Sequence, residues 1–168
     1  MSILTQTDSA NTAITLDVSS LAASSTWTTG INSTEVQNTQ GYIDCLVTVL
    51  PITATATVVG QYLGVWVAGQ NTSFATNPIT AAGMIDGVTG ACALVNVSTL
   101  NSLRFAGSAG ATALTALPYV IEPFSIAQLF GGVMPVFWSL YVSHNLGTAL
   151  AASQSAKFSF NGVTYTNT

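Results

Sequence analysis

Residues 136–144 read VFWSLYVSH, and this stretch decides the fold class. Val136, Trp138, Leu140 and Val142 share one parity, while Ser139 and Ser143 take the other. A period of two sends successive side chains to opposite faces of an extended chain. β-Branched and aromatic residues suit the packed, pleated surface that results. A β-strand is therefore predicted over 136–144.

The same pattern extends in both directions. Phe158, Phe160, Val163 and Tyr165 close the chain as another strand, with a bend expected at Asn161-Gly162. Residues 119–126 read as a strand broken by Pro123, and Gly131-Gly132 marks a turn within 128–135. Residues 61–68 place Leu63, Val65 and Val67 opposite Tyr62 and Trp66. Residues 42–50 are apolar on both parities, which predicts a strand covered on both faces. Ile14, Leu16 and Val18 alternate with Thr15 and Asp17 as a half-buried strand. Residues 91–99 alternate again, and Leu103 and Phe105 extend that strand or form a short one.

Residues 22–40, rich in Ser, Thr and Asn and punctuated by Trp27 and Ile31, read as a short strand and a long connection; 70–90 is loop-like with Asn77-Pro78 and Asp86-Gly87 turn signals, and 107–115 is a loop of small residues. No stretch keeps a 3.6-residue period over a dozen positions, and helix-favouring Glu and Lys are scarce. The expected fold is all-β: a β-sandwich, with the eight-stranded jelly roll best suited to the strand count and the long connections. Residues 1–12 are polar and aperiodic and read as an N-terminal arm, leaving 13–168 as a single β-sandwich domain.

Composition narrows the function classes. Of 168 residues, 49% are apolar and only 5% charged, against about 25% charged in a typical soluble domain. The charges are Asp8, Asp17, Glu35, Asp44, Asp86 and Glu122 against Arg104 and Lys157. Residues 45–69, the most apolar stretch, are interrupted by Thr48, Pro51, Thr53, Thr55, Thr57, Gly60, Gln61 and Gly64, which argues against a membrane helix. A net charge of −4 with no Lys/Arg cluster argues against a nucleic-acid partner. With 24 Thr and 17 Ser, hydroxyls hydrate the surface that charges would otherwise wet. Such a surface suits contact with other protein, because desolvating an unpaired ion at an interface costs several kcal/mol.

Catalytic equipment is sparse. His144 is the only histidine and ends a strand, where a solvated ring is expected. Asp44 or Asp86 could complete a triad with it, yet no serine stands in a nucleophile setting such as G-x-S-x-G. One His and the widely spaced Cys45 and Cys92 do not make a four-ligand metal set. Both cysteines lie in apolar runs and read as buried thiols, with a disulfide left open. No cofactor motif is present: the glycines of 107–110 lack a following phosphate-loop Lys. Of the three tryptophans, Trp66 and Trp138 are expected in the core. Trp27, in a Thr-rich connection, is the candidate for a contact surface, as a protein interface or a sugar platform. Ile31 beside it, and Ile3 and Leu4 in the arm, complete the candidate interface.

Residues 131–150, GGVMPVFWSLYVSHNLGTAL, resemble a segment of tailed-bacteriophage structural proteins. In those proteins a Gly-rich turn and a Pro precede an aromatic-Trp strand, followed by Asn, Gly and a small-residue tail. Residues 27–50 resemble them too, with a Trp-Thr start, an Asn/Ser/Thr bridge and a long apolar strand. This chain departs in mid-sequence, where Gln70-Asn71-Thr72-Ser73-Phe74 stands in place of an Asp-Gly loop.

The resemblance implies a capsid cement or decoration protein of jelly-roll type on the exterior of the virion. It would bridge copies of the major capsid protein, self-associate as a dimer or trimer, and carry no active site. The alternatives are a phage tail or head-fibre component, and a carbohydrate-binding or adhesin module with Trp27 as platform.

Overall fold

The computed structural model describes residues 4–54, 59–79, 85–94, 100, 102–110 and 118–167. Two antiparallel sheets pack face to face. The first contains β1 (Leu4–Asp8), β13 (Phe158–Asn167), β5 (Asp44–Val49) and β11 (Phe124–Ser125) in that order, and β2 (Thr12–Ala13) also pairs with β13. The second runs β8 (Gly90–Ala93), β3 (Thr29–Asn32), β12 (Phe137–His144), β7 (Tyr62–Gln70), β9 (Arg104–Gly110), with β4 (Val36–Gln37) also on β12. A small ladder joins β6 (Ile52–Thr53) to β10 (Pro118–Tyr119).

The 136–144 pattern forms β12 from Phe137 onward, the central strand of the second sheet; Val136, read as facing inward, precedes the strand and is 40% exposed. Its inward parity, Trp138, Leu140 and Val142, meets Leu63, Val65 and Val67 of β7 and Val47, Val49, Phe158 and Phe160 of the first sheet in the main core. Trp138 and Phe160 bridge the two sheets edge to face, with ring centroids 5.4 Å apart. Ile14, Leu16 and Val18 are buried in this core and Thr15 and Asp17 exposed, matching the alternation, but this segment crosses between the sheets without joining a ladder.

The strand covered on both faces is β7, not β5: Leu46 and Leu50 are 39% and 50% exposed. Opposite the main core, Trp66 and Ala68 of β7 and Tyr141 of β12 enter a second apolar cluster with Phe74, Ile85, Cys92, Leu94, Leu100 and Leu103. The long β7–β9 connection supplies that cover and lids the outer face of the second sheet. Ser139 and Ser143 do take the parity opposite Trp138, but both are buried. Ser139 Oγ donates to the Ser33 carbonyl at 3.0 Å and Ser143 Oγ to the Thr29 carbonyl at 2.7 Å, so burial leaves neither hydroxyl unpaired.

At Asn161-Gly162 no bend occurs. β13 continues through both residues; a Cβ at Gly162 would overlap the Tyr42 ring that lies on it, so the glycine serves close packing rather than a turn. One helical turn, α1 (Ile126–Leu129), follows β11, capped by Ser125 Oγ accepting from the Gln128 N–H at 3.0 Å. The residues read as an N-terminal arm contribute β1 and β2, both paired to β13. The strand expected over 91–99 reaches Ala93 as β8, and 95–99 fall outside the described residues.

Candidate functional site

An aromatic cleft opens on the outer face of the second sheet, beside the lidded cluster. Trp27, Tyr62, Gly64, Trp66, Phe105 and Ser108 line about 270 Å³. Tyr62 and Phe105 are 47% and 53% exposed, whereas Trp66 is nearly buried and forms the floor. Trp66 meets Trp27 at 5.6 Å and Phe105 at 5.4 Å between centroids, edge to face in both cases. That geometry is the favoured one for aromatic quadrupoles.

Local sequence explains the assembly. Trp66 and Phe105 are direct partners across the β7–β9 ladder, where a bulge between Val65 and Trp66 resets the register. Gly64 makes room for the floor, since a Cβ there would stand 2.7 Å from Trp66 Cζ3. Trp27 has φ of 62°, a left-handed conformation uncommon for a bulky residue. Its backbone is held at both ends: its N–H donates to the Ser24 carbonyl at 3.3 Å, and its carbonyl accepts from the Tyr141 hydroxyl at 2.8 Å. A bulky residue keeps this conformation only because the surrounding bonds hold it.

Among the described residues, the lining carries no charged side chain. Arg104, next to Phe105 in the chain, lies instead 5.9 Å over the Phe130 ring and is not part of it. An uncharged apolar group, such as a Leu, Met or aromatic side chain, complements these walls.

Of the residues proposed from sequence, Trp27 lines the cleft. Ile31 packs against the main core from β3, and Leu4 begins β1 in the other sheet; Ile3 lies outside the described residues. Tyr62, Trp66 and Phe105 were not foreseen as a site. The signal that could have found them is a glycine, Gly64, spaced by two residues from aromatics on either side.

His144 is not solvated. It is fully buried at the end of β12, with Nε2 2.8 Å from the Leu21 carbonyl and Nδ1 accepting from the Leu146 N–H at 3.4 Å. An acceptor role for Nδ1 places the proton on Nε2 of a neutral ring. Burial lowers its pKa, and the hydrogen bond to Leu21 opposes that only in part.

Cys45 and Cys92 are free, buried thiols in the main and second clusters respectively. Burial first, then the Asp44 carboxylate for one and Asp86 for the other, pushes each up to about 12. Among the described residues no three His, Cys, Asp or Glu side chains gather, and no helix is long and apolar enough to cross a membrane.

No protein-family model, curated protein or solved structure matches the chain.

Proposed function

We propose that this chain is a non-catalytic structural protein of a bacteriophage particle: a jelly roll that binds the outside of the head as a cement or decoration subunit. Its partners in this reading are the major capsid protein and further copies of itself, and it is made in the host cytoplasm.

Strand order supports the jelly roll. Taking β1 with β2 as one position and β3 with β4 as another, eight positions remain once β6, β8 and β10 are set aside. Positions one and eight, two and seven, three and six, four and five are then antiparallel pairs, β1–β13, β3–β12, β5–β11 and β7–β9. The chain thus winds as one long folded hairpin, the double Greek key of viral capsid and lectin domains. β8 is an addition within the β7–β9 connection that extends the second sheet beyond β3.

The observation that carries the assembly reading is the uncharged aromatic cleft. Interface cores are depleted in charge and enriched in Tyr, Trp and Phe, and this cleft offers all three on a chain with 5% charged residues. Trp27 stands edge-on to Trp66 as a wall of the cleft, which suits an inserted side chain better than a sugar laid flat on the indole. Shells repeat each contact many times, so modest affinity per subunit is enough.

Mass spectrometry of purified virions, with copy number referenced to the major capsid protein, tests this. Hundreds of copies support the shell assignment, a dozen or fewer place the protein in tail or fibre, and absence from virions overturns the reading.

A further inference from the structure

We propose that His144 is an acid-sensitive latch on the aromatic cleft: protonation of its ring frees the two chain segments that carry Trp27 and Tyr62. The inference concerns the cleft of the preceding section, but its test reads the cleft's closure and not assembly.

The latch is a set of backbone contacts made through one residue. On one side, Leu21 offers its carbonyl to His144 Nε2 at 2.8 Å and to the Leu150 N–H at 2.9 Å. Three residues on, the Ser24 N–H donates to the His144 carbonyl at 2.7 Å. Ser24 then holds the turn that presents Trp27, through its own carbonyl to the Trp27 N–H at 3.3 Å and through its hydroxyl to the Thr29 N–H at 3.2 Å. On the other side, Asn145 clasps Tyr62 twice: its N–H donates to the Tyr62 carbonyl at 3.0 Å, and its side-chain oxygen accepts from the Tyr62 N–H at 2.7 Å. Two walls of the cleft, Trp27 and Tyr62, are therefore hung on residues 144 and 145, while Phe105 is held separately by its pairing with Trp66 on β7.

This arrangement accepts only a neutral ring. Nδ1 is occupied as an acceptor by the Leu146 N–H, so a second proton there would set two donors head to head. Among the described residues, none nearby offsets the added charge. On the segment packed against the ring, Asp17 is spent on the Ser19 N–H and hydroxyl at 2.9 and 2.5 Å. β7 contributes the phenol of Tyr62 and no charged group, β3 and residues 145–156 contribute no titratable side chain, and Lys157 lies beyond that loop. No carboxylate pairs with the ring; it bonds to the Leu21 carbonyl and the Leu146 amide. A buried, unpaired cation is costly, and the way to hydrate it is to part residues 18–27 from 144–150.

The sign follows. The folded pKa lies below the ordinary value of about 6.5, so the open form binds the proton more readily than the closed one. Opening is therefore disfavoured at and above neutrality. It grows as pH falls below about 6.5, by up to about tenfold per pH unit for one proton, until the closed form itself protonates.

Hydrogen exchange of the full chain, corrected for intrinsic rates and compared at pH 7.5 and 5.0, tests the latch. Protection is expected to fall at least about tenfold in residues 20–30, 61–64 and 144–150 and to hold in β5 and β13, while His144→Gln shows no such change. Equal loss in β5 and β13, or the same local loss in His144→Gln, overturns the proposal. Should that variant fail to fold, NMR titration of the chain's only imidazole decides: a ring that titrates at or above about 6.5 in the folded chain takes its proton without opening and overturns the proposal too.

Discussion

The Tyr141 hydroxyl donates to the Trp27 carbonyl at 2.8 Å, reaching across the bare backbone of Gly30. A Cβ at Gly30 would stand 2.7 Å from Tyr141 Cζ, so the bond needs both the phenol and the glycine. Burial raises the Tyr141 pKa, which keeps the phenol a donor at any ordinary pH. Tyr141→Phe removes the donor and leaves a part-buried carbonyl on a left-handed residue, at a cost of about 1–3 kcal/mol. Urea unfolding should show that loss, and tryptophan fluorescence should shift as Trp27 loosens from Trp66. A variant with wild-type stability and spectrum would mean that the strained turn is held elsewhere.

Glu35 reaches over the lid of the second cluster. One carboxylate oxygen accepts from the Ser73 hydroxyl at 2.7 Å and the other from the Phe74 N–H at 2.8 Å, next to a ring with no exposure. Hydrogen bonds to charged groups are worth about 1.5–3 kcal/mol. Glu35→Ala should therefore cost about 2–3 kcal/mol and raise hydrogen exchange most in residues 71–79. Glu35→Gln keeps one acceptor and should fall between. A uniform rise in exchange across β5 and β13 would assign the carboxylate a global role instead.

These two contacts show what the sequence could and could not convey. Parity is local, so β12, the inward face of β7 and the alternation at Ile14, Leu16 and Val18 were legible from spacing alone. What covers the outward face is not local. Leu46 and Trp66 look alike as outward apolar residues on apolar strands, and only the cover supplied by Phe74, Ile85, Leu94, Leu100 and Leu103 decides that one is exposed and the other nearly buried. The burial of His144 is hidden from the sequence for the same reason: its neighbours Ser143 and Asn145 are polar, but the groups bonded to its ring come from Leu21 and Leu146. Of the cleft, only Trp27 was anticipated, because Tyr62, Trp66 and Phe105 meet through a ladder register that spacing does not specify.

Cys45 and Cys92 sit in different clusters on either side of the second sheet, so no bond between them is open to the folded chain. The thiolate is the reactive form, and with both groups pushed up to about 12 very little is present at pH 8. A thiol-specific reagent at pH 8 should leave the native protein unmodified over hours and titrate both groups promptly in denaturant. Rapid reaction of one thiol in native buffer would show that its cluster opens locally, with Cys92 under the lid the first to suspect.

The cleft offers a way to separate folding from binding. Tyr62 and Phe105 are about half exposed, and exposed positions usually tolerate substitution within about 0.5 kcal/mol; Trp66 is the floor of the site and part of the second cluster. Phe105→Ser and Tyr62→Ser should keep most of the stability, whereas Trp66→Ala should lose about 3–5 kcal/mol. If the cleft receives a partner side chain, each of the first two should weaken binding to purified phage heads by at least about tenfold, as truncation at a buried hot spot does. Leu50→Ser, on the outer face of the other sheet, should bind as the wild type does. Should Leu50→Ser lose binding while Phe105→Ser and Tyr62→Ser retain it, the contact surface is the first sheet and the aromatic cleft is only packing.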